Sequence, residues 1–132
     1  MQPRISIITL GVKDLKASTK FYLALGFPLQ PPENDMISFF ELSGTQLALY
    51  PKDLLAKDAK VLETGSGFSG FTLAHNVHSK EEVDTIMKEA ERIGAKITDP
   101  AHEREWGGYS GYFADLDGYL WEIAWNPYFK FE

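Results

Sequence analysis

The sequence predicts an α+β fold made of two βαβββ modules, and three features of its 132 residues indicate this. A pattern of strand-like segment, amphipathic helix and glycine-centred hairpin occurs twice along the chain. The composition, with 44% hydrophobic and 24% charged residues, is typical of a globular domain. The absence of cysteine excludes disulfide scaffolds and thiolate sites. We therefore expect one domain, with module 1 at about 4–51, a linker at about 52–69 and module 2 at about 70–127.

The first module begins with an apolar, β-branched segment from Ile5 to Val12, which predicts a strand. Asp14 is a suitable N-cap for an amphipathic helix from Leu15 to Leu25, and Gly26 stands where helices commonly end. A short extended piece and a hairpin with a Ser-Gly turn should follow. The three predicted strands are 27–30, 37–42 and 45–50.

The second module repeats this order, beginning with a strand-like segment from Phe71 to Val77. Ser79 and Glu82 have the spacing of a capping box, and the helix that they open should end at Gly94. An Asp-Gly turn between two alternating runs is a strong hairpin signal. The last three predicted strands are 95–98, 109–115 and 119–125, and the linker should contain a short helical turn at 53–60.

Charge and hydropathy limit the partners of the chain. A net charge of −6 has the wrong sign for a protein that binds the phosphate backbone, so nucleic acid is not an expected partner. No apolar run approaches the roughly 20 residues of a membrane helix, and the N-terminus leads into a strand rather than a signal peptide. We expect a cytoplasmic protein without membrane contact.

Three segments resemble the vicinal oxygen chelate superfamily, which includes glyoxalase I, bleomycin-resistance proteins, fosfomycin-resistance proteins and extradiol dioxygenases. These are Val12 to Leu15, Phe21-Tyr22 with Leu25 to Phe27, and Phe113 to Glu122. The resemblance implies that two βαβββ modules pair so that their curved mixed sheets form a cup. It also implies that a small ligand binds inside the cup, and that the protein is a homodimer.

Strand alternation predicts which residues face this cup, because every second side chain lies on the same face of a strand. In the last strand, Trp121 and Ile123 should pack under the helices, so Glu122 points into the cup. The cup-facing residues of the other strands follow when the two modules are superposed, with Gly44 on Gly118 and Val12 on Val77. The predicted cup lining is Ile7, Thr9, Gln46, Ala48, Tyr50, Thr72, Ala74, Asn76, Leu120, Glu122 and Ala124.

The resemblance also implies four metal-ligand positions, at which metal-dependent members carry His, Gln or Glu. The equivalent positions here are Ile7, Ala48, Thr72 and Glu122. A lone carboxylate does not hold a catalytic metal that needs three or more protein ligands. We therefore predict no metal and no other cofactor, with a divalent metal as the alternative.

The second half contains further candidates. His75 should lie on the helix side of its strand, where a locally bonded imidazole is the simpler interpretation. His102, Arg104 and Trp106 fall in a predicted loop, which is either a solvated surface or a mobile lid at the rim of the cup. Trp106 and Tyr109 are candidates for stacking on a flat ligand, although aromatic residues among glycines also occur as ordinary packing.

Two functions remain open. The first is metal-free binding of a small organic molecule through convergent polar groups, as in the bleomycin-resistance proteins. The predicted ligand-binding residues are Thr9, Gln46, Tyr50, Thr72, Asn76, Trp106 and Tyr109. The alternative is a glyoxalase-like lyase or isomerase in which Glu122 is the catalytic base. Removing a proton next to a carbonyl leaves an enolate, whose negative oxygen must be stabilised by a metal, another cation or hydrogen-bond donors. The sequence offers no evident cation facing the cup.

Overall fold

The computed structural model describes residues 1–63, 65 and 67–128. The chain forms two compact units, Met1–Ser66 and Gly67–Glu132, and each unit has its own sheet. Both units combine helices with mixed parallel and antiparallel strands, so the predicted α+β class is confirmed. No helix among the described residues is long and apolar enough to cross a membrane.

The first unit contains a three-stranded sheet with the order β1-β3-β2. Strand β1 runs parallel to β3, and β2 runs antiparallel to it. Two helices accompany the sheet, one after β1 and one after β3. The elements are β1 (Ile7–Val12), α1 (Leu15–Leu25), β2 (Ser38–Glu41), β3 (Gln46–Pro51) and α2 (Lys52–Ala59).

Helix α1 begins and ends at the predicted residues. The side chain of Asp14 accepts a hydrogen bond from the backbone of Ala17 at 3.0 Å, which satisfies one of the free amide groups of the first turn. Gly26 ends the helix with a φ of 111°, a left-handed conformation that glycine adopts without strain. The helix packs on one face of the sheet through Tyr22, which is fully buried and contacts the ring of Phe40.

The strand predicted at 27–30 is wrong except for one bridge between Leu29 and Phe40. Pro28, Pro31 and Pro32 surround this bridge, and proline has no backbone N–H to donate to a neighbouring strand. The chain therefore leaves the sheet after Gln30. The helical turn predicted at 53–60 is a helix of eight residues, α2, that begins one residue earlier.

The second unit has four strands with the order β4-β7-β6-β5, and β4 is parallel to β7. Ser79 caps α3 by accepting from the backbone of Glu82 at 3.1 Å, as predicted. Val83, Met87 and Ala90 form the buried stripe of this helix. The elements are β4 (Leu73–Val77), α3 (Lys80–Arg92), β5 (Lys96–Glu103), β6 (Tyr109–Ala114) and β7 (Leu120–Trp125).

Strand β5 is five residues longer at its C-terminal end than the predicted strand at 95–98, and this corrects the interpretation of His102 as a loop residue. His102 pairs with Ser110, and Glu103 pairs with Tyr109. Two register shifts, at Ile97/Asp99 and Asp99/His102, accommodate Pro100 within the strand. The lid interpretation is therefore wrong for His102, which lies in a hydrogen-bonded hairpin.

The strand pairings inside the two sheets correspond to each other, position by position. Thr9 lies beside Ala48 in the first unit, and Ala74 lies beside Glu122 in the second. Superposing the hairpin glycines and the strand ends Val12 and Val77 predicts these equivalences, so the predicted register is confirmed within each sheet. Ala48 and Glu122 therefore occupy equivalent positions in their modules.

Candidate functional site

The sheet of the second unit has two distinct faces. A Cβ atom added to Gly111 would lie 2.8 Å from Cε of Met87, so the face with Gly111 and its partner Ile123 is the one that α3 covers. Paired residues share a face, and successive residues of a strand point to opposite faces. Glu122 comes directly before Ile123 in β7, so it lies on the side that α3 does not cover. We refer to this side as the Glu122 face. Its residues on three strands are Ala74, Asn76, Ser110, Tyr112, Glu122 and Ala124.

Tyr112 and Glu122 lie directly opposite each other on β6 and β7, and the tyrosine hydroxyl interacts with the carboxylate. Burial raises the pKa of Tyr112, and the charge and hydrogen bond of Glu122 raise it further, because both oppose a phenolate. The nearby Arg104 acts in the other direction but does not outweigh them. Tyr112 is therefore a protonated hydrogen-bond donor throughout the neutral pH range.

Arg104 provides the positive charge on this face. The hairpin turn that joins β5 to β6 positions it, since its backbone N–H donates to the carbonyl of Gly108 at 2.8 Å. Nε donates to Oγ of Ser110 at 2.7 Å, and Nη2 donates to the Ser110 carbonyl at 3.0 Å. The guanidinium carbon lies 5.8 Å from the ring centroid of Tyr112. Arg104 is therefore held against the tyrosine that binds Glu122.

Asp99 links Arg104 to His102. Nη2 of Arg104 donates to Oδ2 of Asp99 at 3.0 Å, and Nε2 of His102 lies 3.3 Å from the same oxygen. Burial by itself would raise the pKa of Asp99, but the hydrogen bonds and charges of Arg104 and His102 together lower it. Asp99 is therefore a stable carboxylate that fixes the arginine.

Trp106 lies at the turn of the same hairpin. A Cβ atom added to Gly108 would lie 1.8 Å from the indole ring, so only glycine allows the ring to cover the backbone there. Gly108 lies just before β6 and two residues before Ser110. The ring is 45% exposed, which leaves an aromatic surface beside Arg104.

Tyr109 does not share this face, although it is one of the predicted ligand-binding residues. Its hydroxyl donates to Oδ1 of Asp84 on α3 at 2.7 Å, on the helix side of the sheet. This hydrogen bond, with smaller contributions from burial and nearby carboxylates, raises the pKa of Tyr109 to about 12. His75 also lies on the helix side, opposite Ile123, and burial lowers its pKa.

The other predicted residues are placed on two separate sheets. Asn76 pairs with Ala124 on the Glu122 face, and Thr72 lies just before β4 with the same alternation as Ala74. In the first unit, Thr9, Gln46 and Tyr50 share the sheet face that α1 does not cover. Nε2 of Gln46 donates to Oε1 of Gln30 at 3.1 Å on that face.

Comparison with known proteins identifies the family. A sequence model of the glyoxalase/bleomycin resistance protein/dioxygenase superfamily matches residues 4–123. The chain belongs to this superfamily. A glyoxalase-related enzyme from Fulvimarina pelagi is 35% identical to this superfamily member, with a TM-score of 0.90 over 98% of this chain and 93% of that chain. No curated protein matches the sequence.

More distant relatives share the superfamily fold. A hypothetical protein from S. aureus is 21% identical, with a TM-score of 0.83 over 96% of this chain and 95% of that chain. A lactoylglutathione lyase from Agrobacterium tumefaciens is 21% identical, with a TM-score of 0.72 over 98% of each chain. At this level of identity, the likeness shows the fold alone.

The donor atoms of this superfamily member do not fit the metal that the family resemblance implies. Of the four equivalent positions, Ile7 and Ala48 have no side-chain donor atom, and Thr72 offers only a hydroxyl. Glu122 is the sole charged metal-donor residue of the set. A divalent cation needs three or more such ligands. Within residues 1–63, 65 and 67–128, no group of three acidic or histidine side chains could hold a metal.

Sequence reasoning missed the role of Arg104, and the expectation that no cation faces this side of the sheet is wrong for the second unit. The missed signal is the alternation along β5. His102 pairs with Ser110, so Arg104, two residues further on, points to the same face as Ser110 and Tyr112. The Gly-Gly sequence after Trp106 marks the tight turn that makes this pairing possible.

Proposed function

We propose that this superfamily member binds a small organic molecule at the Glu122 face, without a divalent metal. The observation that carries the proposal is the connected chain of Glu122, Tyr112 and Arg104 on one side of the sheet. Binding sites of this kind combine a few fixed polar groups with apolar surface. Here the polar groups are held by strands and by Ser110, and the exposed ring of Trp106 supplies the apolar surface.

The charges on this face indicate the kind of ligand. Asp99 neutralises Arg104 through a direct ion pair, so the carboxylate of Glu122 is the charge that a ligand would meet. A hydroxyl, amide or amine group of the ligand would donate to Glu122. Nη1 of Arg104 donates no hydrogen bond within the described part of the chain, so it is available for a carbonyl or similar oxygen. A planar body would then stack on Trp106.

The setting of this site is also part of the proposal. Thr9, Gln46 and Tyr50 on the first sheet, and Thr72 and Asn76 on the second unit, are further polar residues that we propose for ligand binding. We also propose that the protein is a homodimer, because superfamily members are often dimers, and that it is cytoplasmic. Sedimentation velocity of the purified protein tests the dimer, and a monomer at micromolar concentration would contradict it.

A thermal-shift screen of small polar aromatic molecules tests the binding proposal. Compounds that stabilise the native protein are then titrated against Glu122→Gln and Arg104→Met. The matched control is Asp84→Asn, because Asp84 is a carboxylate that accepts from Tyr109 on the opposite face, whereas Glu122 faces Tyr112. We expect the first two variants to lose affinity at least tenfold and the control to keep it. No stabilising compound, or equal losses in all three variants, would contradict the proposal.

A lyase or isomerase reaction is the second candidate, and the position of Arg104 favours it. In this reaction, the Glu122 carboxylate would take a proton from the carbon next to a ligand carbonyl, leaving the electron pair on an enolate oxygen. Without a metal, that oxygen needs hydrogen-bond donors or a cation close by. Tyr112 and Arg104 supply such groups beside Glu122. The relationship to a glyoxalase-related enzyme agrees with this candidate.

Hydrogen exchange at carbon tests this candidate separately from binding. The protein is incubated in deuterium oxide with a series of α-hydroxy ketones, and loss of the carbon-bound proton is followed by NMR. An enzyme should exchange the proton faster than buffer, and Glu122→Gln should abolish the exchange while the fold is retained. Exchange that is equal with and without protein would exclude Glu122 as the base for these substrates.

A further inference from the structure

A cavity of about 410 Å³ lies in the first unit beside α1, within the size range of small-molecule sites. It is formed by one flank of α1, the segment that follows Leu29 and the beginning of β2. Ser38 at its base is on the sheet face that packs against α1, whereas Thr9 and Tyr50 are on the other face. Thr9, Gln46 and Tyr50 do not line the cavity, although Gln46 donates to Gln30 in its wall.

The cavity exists because the two modules differ at one strand. The shared register places Ser38 at the position of Gly111, and Leu29 at the position of Ile97. In the second unit β5 continues beyond Ile97, and the backbone of Ala101 comes within 2.8 Å of a Cβ atom added to Gly111. In the first unit the chain leaves the sheet after one bridge, so no strand covers the equivalent flank of the helix.

Two hydroxyl groups form the polar base of the cavity. Oγ1 of Thr19 and Oγ of Ser38 are 2.7 Å apart, and one of them donates to the other. A pair of hydroxyls has two protons, and this bond uses only one of them. The pair therefore keeps one O–H donor and several lone pairs for a ligand, although Ser38 is only 7% exposed.

The charged groups around the cavity balance each other. Lys16 and Lys20 lie one turn apart on α1, and Glu33 and Asp35 lie on the opposite segment. Two positive and two negative charges give no net preference for an ion, so the cavity suits a neutral ligand. The remaining wall is apolar and consists mainly of Leu15, Leu23, Leu29 and Ile37.

We propose that this cavity is a second binding site, for a small neutral molecule with an apolar body and a single hydroxyl or carbonyl oxygen. The oxygen binds the Thr19 and Ser38 hydroxyls, and the apolar body lies between the leucines of α1 and Ile37. This site is independent of the function proposed for the Glu122 face, because every residue that forms it belongs to the first unit.

The test is an NMR titration of ¹⁵N-labelled full-length protein with 4-methylphenol, and with toluene as the same molecule without the oxygen. We expect saturable shifts of the amides of Thr19, Leu29 and Ile37. Leu23→Trp fills the cavity from a position that is already 45% exposed, and it should weaken binding at least tenfold. Ala17→Trp is the matched control, because Ala17 is exposed on α1 and does not line the cavity.

A second pair of measurements tests the hydroxyl groups. The double variant Thr19→Val with Ser38→Ala should weaken 4-methylphenol about fivefold, the size of effect that loss of one hydrogen bond has, and should leave toluene unchanged. Shifts that do not saturate, equal weakening by Leu23→Trp and Ala17→Trp, or equal weakening of both ligands by the double variant would overturn the proposal. If the double variant does not fold, the two tryptophan variants decide it.

Discussion

Tyr112 lies directly opposite Glu122 on the neighbouring strand, and the charge of Glu122 adds to burial in raising the pKa of the tyrosine. Glu122 occupies the position at which the superfamily resemblance implies a metal ligand. A carboxylate that faces a tyrosine, in a set whose other members include Ile7 and Ala48, is equipped for hydrogen bonding rather than for metal coordination. This relationship is the basis of the function that we propose.

The hydrogen bond from Tyr109 to Asp84 makes an alkaline titration predictable. Because the pKa of Tyr109 is raised to about 12, this tyrosine should ionise well above the pH at which an ordinary tyrosine does in a spectrophotometric titration. The native state stabilises the protonated hydroxyl of Tyr109. This contribution to the free energy of unfolding is therefore lost only as the pH rises through the raised pKa. Tyr109→Phe should remove the phase near pH 12, and Asp84→Asn should move it to lower pH. An unchanged phase in Asp84→Asn would contradict the assignment.

Replacing Arg104 should destabilise the fold. Arg104→Met removes two hydrogen bonds to Ser110 and one to Asp99, and leaves the fully buried Ser110 hydroxyl without its donor. We expect the free energy of unfolding to fall by about 1.5–3 kcal/mol. Arg92→Met, which removes an exposed ion pair with Glu89, should lower the free energy of unfolding far less. Urea denaturation measures both, and equal losses would refute the role of Arg104.

Asp99 should contribute to stability at neutral pH and lose that contribution in acid. Its pKa in the folded protein is lowered, so its stabilising effect is present above its unfolded pKa and disappears as the pH falls through the folded value. The free energy of unfolding of Asp99→Asn should therefore fall less steeply below about pH 4 than that of the native protein. Parallel acid limbs in the two proteins would contradict this prediction.

Gly111 should not tolerate a side chain. In Gly111→Ala the new Cβ atom would lie 2.8 Å from both the backbone nitrogen of Ala101 and Cε of Met87, so the strands must separate. We expect a loss of about 1–3 kcal/mol in the free energy of unfolding. Gly11→Ala is the comparison in the first unit, where the nearest atoms, those of Lys52, are 3.1 Å away. Thermal denaturation should show a smaller loss for Gly11→Ala, and the reverse order would contradict the packing described here.

Local signals in the sequence predict most of the fold. The caps Asp14 and Ser79, the glycine that ends α1 and the Asp-Gly turn act within a few residues, so each can be recognised without tertiary information. The strand at 27–30 was wrong because alternation does not show that prolines remove the pairing N–H groups. The sequence also does not predict the full length of β5, because Pro100 normally ends a strand. Register shifts next to Pro100 allow the strand to continue to Glu103.

The candidate site was predicted only in part. Alternation together with superposition of the two modules predicts Glu122 and Asn76 on one face, and the structure pairs Ala74 with Glu122 and Asn76 with Ala124. Arg104 and Tyr109 required knowledge of which strands pair and on which side α3 packs. Those facts depend on contacts between residues that are distant in sequence, such as Tyr109 with Asp84.

Measurement of bound metal tests the central claim most directly. The purified protein is analysed for Ni, Zn, Co, Mn and Fe as isolated, and again after incubation with each ion and desalting, alongside Glu122→Ala. We predict that neither protein retains metal in stoichiometric amount, because only one of the four equivalent positions has a charged donor. One metal ion per chain that is retained by the native protein and lost in Glu122→Ala would contradict the account.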